Sequence, residues 1–306
     1  MSTEVLQAQA DSGVLERPAW TEPGTGSVLS GVIRFALRKP LGAMGAVVVL
    51  LLVVFALLGP ILAPHDPYVQ DSRRSLRPPS ADNLLGTDRL GRDQLSRIIY
   101  GAQVSLYVGL VSVIIGTTIG MVIGVASAYF GGKFDLVVQR LVDTVMGFPG
   151  LILVLILVVA LGPSLFNVTL AIAINYSDKV IRLARSAALS VKGEDYILAA
   201  RAIGVGTGRI LYRHITPNSL APIFVLATAQ LGNAIVTEAG LSYLGLGVQP
   251  PTPSWGNMLQ AASSQNMEAA PWLAIYPGLA LAIVTFAFAV FGDALRDVLD
   301  PRLRGT

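Results

Sequence analysis

The side chains that usually carry covalent or metal chemistry are nearly missing from this sequence. Its 306 residues include no cysteine and only two histidines, His65 and His214. That excludes disulfides, thiolate metal sites and a cysteine nucleophile, and leaves too few imidazoles for a histidine-rich metal centre. Gly131-Gly132-Lys133 begins like a phosphate-binding loop, but Phe134 stands where a magnesium-binding hydroxyl is required. No His-Glu-x-x-His or Gly-x-Ser-x-Gly pattern occurs. The grouping that remains is Glu194-Asp195-Tyr196-Ile197-Leu198-Ala199-Ala200-Arg201-Ala202-Ile203-Gly204, followed by Ile215-Thr216-Pro217-Asn218. Glu194 and Asp195 suit the positive end of a helix. The Ala199-Ala200 pair favours helix and lets another surface approach its backbone. Gly204, Gly206 and Gly208 then end a helix expected over 194–208 and turn the chain back. Taken alone, these residues fit two readings alike: a solvated surface helix, or a docking element for a second protein.

The elements that must position this segment are membrane spans. Hydrophobic residues make up 53% of the chain and charged residues 13%, with a mean hydropathy of +0.63. Soluble domains carry about 25% charged residues, so a polytopic membrane protein is expected. About 20 apolar residues cross the hydrocarbon core, and six stretches qualify: 41–62, 103–129, 136–161, 164–186, 218–247 and 271–292. Backbone polar groups in lipid must be satisfied internally, so these runs are helices and the fold is all-α. Arg34, Arg38 and Lys39 precede the first run. Lys179, Arg182, Arg185, Lys192, Arg201, Arg209 and Arg213 crowd the loop between the fourth and fifth, whereas 162–163 and 248–270 hold no Lys or Arg. Basic residues mark the cytosolic side. Six crossings then leave both termini and the 179–217 loop inside, and 63–102 outside. That outer segment alternates Arg73, Arg74, Arg77, Arg89, Arg92 and Arg97 with Asp66, Asp71, Asp82, Asp88 and Asp93, so it is nearly neutral and is expected to be ordered. No signal-peptide pattern opens the chain. Residues 1–27 read as a cytosolic tail and 28–40 as an amphipathic approach helix. The basic residues lack interleaved aromatics, so nucleic acid is not an expected partner.

The 194–218 segment resembles the cytosolic loop of ABC-importer permeases. Four further stretches, in order, are similar to the C-type permease of dipeptide, oligopeptide and nickel importers: Leu85–Asp93, Thr237–Gly247, Val248–Gly256 and Gly292–Arg302. The resemblance covers about residues 40–304. It implies a type I importer permease of six transmembrane helices, multi-pass in the bacterial inner membrane, forming half of a pathway for dipeptides or oligopeptides. Its implied divisions are 1–40, 41–102 and 103–304, with a coupling loop over about 187–217. The implied partners are a homologous permease, two cytosolic ATPase domains and an extracytoplasmic solute-binding protein. ATP and magnesium would sit on the ATPases, and this chain would hold no cofactor or metal. The coupling residues carried over are Glu194, Asp195, Tyr196, Ala199, Ala200, Arg201 and Gly204. The 194–208 helix would act as a rigid lever.

Two departures from the family pattern stand out. Leu198 replaces the glutamate that usually heads the alanine pair, which removes a salt bridge from that position. The fourth span closes on Asn175-Tyr176-Ser177-Asp178-Lys179, where the family is less charged. Lys179 lies 14 residues past Leu165, about 21 Å at 1.5 Å per residue, and is expected to snorkel to the cytosolic interface. Glu238, with Ser242, Gly245 and Gly247, sits near the outer end of the fifth span and suits a structural hydrogen bond or a helix cap. Nickel-chelate and haem importers share these motifs and remain alternative readings. A stand-alone secondary transporter is the alternative from another class, though no internal repeat or midplane carboxylate pair supports it.

Overall fold

A computed structural model describes residues 36–37, 39–263 and 268–299. The tail over 1–27 and nearly all of the expected approach helix lie outside the described residues. Those residues are mostly helical, and their only strand-like pairing is an isolated bridge between Thr87 and Asp93. The described residues from Leu41 onward cluster as one unit. The main helices are α1 (Pro40–Leu62), α2 (Gln94–Phe130), α3 (Gly132–Met146), α4 (Gly150–Leu161), α5 (Leu165–Lys192), α6 (Asp195–Ala202), α7 (Leu220–Tyr243), α8 (Trp255–Ser263) and α9 (Trp272–Leu299).

The centre of the fold is the pairing of α2 with α5, and three glycines one turn apart explain it. A β-carbon on Gly116 would lie 2.7 Å from the Ala173 carbonyl, one on Gly120 2.5 Å from Val180 Cβ, and one on Gly124 2.5 Å from the Ile181 carbonyl. Lipid offers helices no hydrophobic reason to associate, so small residues that admit close backbone contact supply the packing. Val108, Val168, Val180 and Ala184 are fully buried along this seam.

Four helices (α1, α2, α7 and α9) are long and apolar enough to cross a membrane, and the α3–α4 pair makes a possible fifth. The expected single helix over 136–161 is overturned. The chain breaks at Gly147-Phe148-Pro149 and bends by 94° between α3 and α4. Proline has no N–H and its ring obstructs the preceding turn, so the helix stops before it. The expected fourth span is a helix extended to Lys192, with Asp178, Lys179, Arg182 and Arg185 inside it. Its acids and bases are partly matched by α3: Arg185 pairs bidentately with Asp135 at 2.6 Å, and Arg182 pairs with Asp143. α2 begins nine residues before the expected span, because Asp93 caps it by accepting from the Ser96 N–H at 2.8 Å.

The segment before α2 is folded. Asp88 accepts from the Leu90 and Arg92 amides at 2.8 and 3.0 Å and pairs with Arg92 Nε at 2.7 Å. The Arg97 guanidinium is buried and donates to the Pro67 carbonyl. Asp71 with Arg74, and Asp88 with Arg92 and Arg97, close part of the alternating charge within the loop between α1 and α2.

Candidate functional site

The 194–218 segment is built on three isoleucine pegs. Ile197, Ile210 and Ile215 are fully buried, Val205 and Leu211 pack partly against the same core, and most of the other residues between them are exposed. Glu194 is the N-cap residue of α6 without a side-chain capping bond, and Asp195 occupies the first turn. The helix expected over 194–208 stops at Ala202. Its end is a Schellman closure: the Gly204 N–H donates to the Arg201 carbonyl and the Val205 N–H to the Ala200 carbonyl, both at 3.0 Å. Gly204 has φ +78°, the left-handed conformation that this closure requires. No atom lies within 4 Å of a β-carbon placed on Gly204, Gly206 or Gly208. Of the three glycines, only Gly204 is required by backbone conformation, and none by crowding within the chain. Beyond them the chain runs through Thr207–Ile210, a π-helical turn at Leu211–Ile215 and Thr216–Asn218 into α7.

Tyr129, at the end of α2, holds α6 in place. The Arg201 guanidinium lies 5.0 Å from its ring centroid and Lys192 Nζ 5.7 Å. Lys192 also donates to the Ala128 and Tyr129 carbonyls at 2.9 and 2.8 Å. Tyr196 packs 6.1 Å from the His214 ring and accepts from Asn218 Nδ2 at 3.3 Å. The outward face presents Tyr196, Leu198 and Ala199, together with Ile203 and Tyr212, which are 81% and 83% exposed. Ala200 is half-buried and Arg201 is exposed. Sequence reasoning passed over Tyr129, Ile203 and Tyr212. An aromatic residue at a span end, just before Gly131-Gly132, was the available signal for the first.

Glu238, Ser242, Gly245 and Gly247 come together in a different place, at the end of α7. Glu238 is fully buried, and its Oε1 accepts from the Ser242 hydroxyl at 2.6 Å. Ser242 Oγ in turn accepts from the Val248 N–H at 3.0 Å. Gly245, at φ +80°, turns the chain, and a β-carbon on Gly247 would fall 2.0 Å from Ser242 Oγ. These glycines fold the turn back onto its own helix. Among the described residues, no group of three or more His, Cys, Asp or Glu could hold a metal.

Residues 116–305 match the family described as "binding-protein-dependent transport system inner membrane component". Residues 27–79 match the "N-terminal TM domain of oligopeptide transport permease C". The chain is 42% identical over 270 residues to a di/tripeptide transport system permease protein of Pseudomonas aeruginosa, covering 86% of this chain and 89% of the relative. It is 40% identical over 271 residues to a dipeptide transport system permease protein of Alkalihalophilus pseudofirmus, covering 87% and 88%. A glutathione transport system permease protein of Escherichia coli is also 40% identical, over 269 residues and 88% of each chain.

Proposed function

This chain belongs to the family of binding-protein-dependent transport inner-membrane components, and from that premise we propose that it forms half of a peptide-translocating pathway driven through α6. It is a permease subunit of a peptide ABC importer, a multi-pass protein of the cell membrane and not an enzyme. Such a subunit works with an ATPase and a solute-binding protein.

The finer reading is that a homologous permease completes the pathway and that two ATPase domains, carrying ATP and magnesium, sit beneath it. The chain crosses the membrane six times with both termini in the cytosol, the broken α3–α4 pair and α5 serving as the third and fourth crossings. Residues 187–217 form the coupling loop within a transmembrane domain over 103–304, preceded by the first helix and outer segment over 41–102. The observation that carries this reading is the outward face of the 194–218 segment. Tyr196, Leu198, Ile203 and Tyr212 offer apolar surface on an element otherwise pinned by Ile197, Ile210 and Ile215. Exposed apolar groups beside rigid anchors suit a partner's groove. When the ATPases close, α6 moves with them, and its Tyr129 contacts pass that displacement to α2. With Leu198 in place of an acid, docking rests on shape and apolar contact.

Cysteine labelling tests the topology, since the natural chain has no cysteine. Both Ser80 and Thr207 are exposed. In intact cells an impermeant reagent should label Ser80→Cys and spare Thr207→Cys; the opposite pattern rejects the orientation. Co-purification tests the function class: an importer permease brings down ATPase subunits, and a secondary transporter does not.

A further inference from the structure

An open cleft of about 360 Å³ lies between α2, α4, α5 and α7, and about half of its lining is polar where a membrane protein would ordinarily be apolar. Two helix faces meet across it. From α5 come Asn175 and Lys179, one turn apart; from α7 come Gln230, Asn233 and Thr237, on one face by their spacing. Gly150 and Leu151, the first residues of α4, close one side. The helix break at Gly147–Pro149 thus brings the positive end of α4 to the cavity wall.

The lining carries one formal charge, Lys179, and the Asp178 carboxylate beside it on α5 interacts with it electrostatically. No salt bridge among the described residues includes the Lys179 ammonium. A lysine within a span is costly and normally faces a bundle interior or a water-filled space. Lys179 is exposed and borders this cavity. The amides are also only half used. Asn233 Nδ2 donates to Gln230 Oε1 at 2.7 Å, and nothing among the described residues engages Gln230 Nε2, Asn233 Oδ1 or the Asn175 amide. The volume lies at the small end of ligand cavities, about 300–1,000 Å³.

Resting on the importer reading above, we propose that this cavity is a transient subsite for the C-terminal carboxylate of the transported peptide. Lys179 supplies the counter-charge, and the Asn175, Gln230 and Asn233 amides pair with the last peptide groups. One cation and neutral amides suit a site on a pathway, because binding must be strong enough to admit the peptide and weak enough to release it.

The test is uptake by the full complex in proteoliposomes, using one labelled tripeptide as the free acid and as its C-terminal amide. The solute-binding protein is common to all variants, so any change in the acid-to-amide ratio belongs to this chain. Lys179→Gln should lower free-acid uptake about tenfold, the scale of one charge-assisted hydrogen bond, and leave amide uptake near the wild-type level. Lys179→Arg should restore the ratio, and Lys179→Glu should depress acid uptake further. An unchanged ratio in Lys179→Gln overturns the subsite. So does loss of the second permease from that variant, which would make Lys179 an assembly contact. Binding-protein-stimulated ATP hydrolysis is read alongside. Its absence in the wild-type complex would instead reject the importer reading.

Discussion

The closure at Gly204 yields a prediction whose size follows from the backbone. The residue sits at φ +78°, and an added β-carbon meets nothing within 4 Å. Any effect of a small substitution inside this chain is therefore conformational. Holding an L-residue in the left-handed region costs about 1–2 kcal/mol, a factor of roughly 5–30 in the population of the closed turn. Gly204→Ala should loosen the Schellman closure by that amount. Gly204→Asn should lose much less, because asparagine tolerates this region. Gly204→Leu should match alanine in the free subunit and fall below it in the assembled complex, if the ATPase groove receives this surface. Gly208→Ala is the control: it lies in the helical turn Thr207–Ile210 without positive φ and in open space. It should be neutral or stabilising, by about 0.4–1 kcal/mol. The assays are amide hydrogen exchange at Gly204 and Val205, whose N–H groups make the closing bonds, and stimulated ATP hydrolysis in the reconstituted complex. If alanine kept wild-type protection, or asparagine were no better than alanine, the conformational account would be wrong. If all three kept normal stimulation, the coupling role of the loop would fail.

Three shorter predictions concern packing and hydrogen bonds. Gly120→Leu should separate α2 from α5, since even a β-carbon would lie 2.5 Å from Val180 Cβ; a loss of at least about 1–3 kcal/mol should show in thermal unfolding in detergent, and an unchanged midpoint would contradict the seam. Ser242→Ala deprives both the Val248 N–H and buried Glu238 of a partner; a cost of about 1–3 kcal/mol should appear in the same assay, and Ser242→Thr should recover part of it. Tyr129→Leu removes the aromatic face under Arg201 and Lys192, worth about 0.5–1 kcal/mol at an exposed site; protection of α6 amides should fall while global stability stays nearly constant, and unaltered exchange would remove Tyr129 from the link between α6 and α2.

Much of the architecture was legible because lipid simplifies the problem. Apolar runs such as 41–62 and 271–292 admit only helices, and α1 and α9 are found there. The break in the third run was written in Gly147-Phe148-Pro149 but hidden by the length and apolarity of the stretch around it. The charges of α5 looked like a span end because sequence position alone gives depth and not direction. In the fold, Arg182 and Arg185 meet acids about 40–50 positions earlier, and exposed Lys179 borders an open cleft.

Residue order by itself determined what is local: helix-forming runs, the missing catalytic side chains, the basic loop, and glycines that end the helix begun at Glu194. The tertiary structure decided what depends on distant neighbours. It brought Tyr129 beneath Arg201, Ser242 between Glu238 and Val248, and the polar faces of α5 and α7 to one space. Hydropathy and periodicity act over one or two helical turns, whereas these contacts depend on which helix faces pack together. That choice was set by three glycines on α2 whose lack of side chains becomes meaningful only when α5 lies against them.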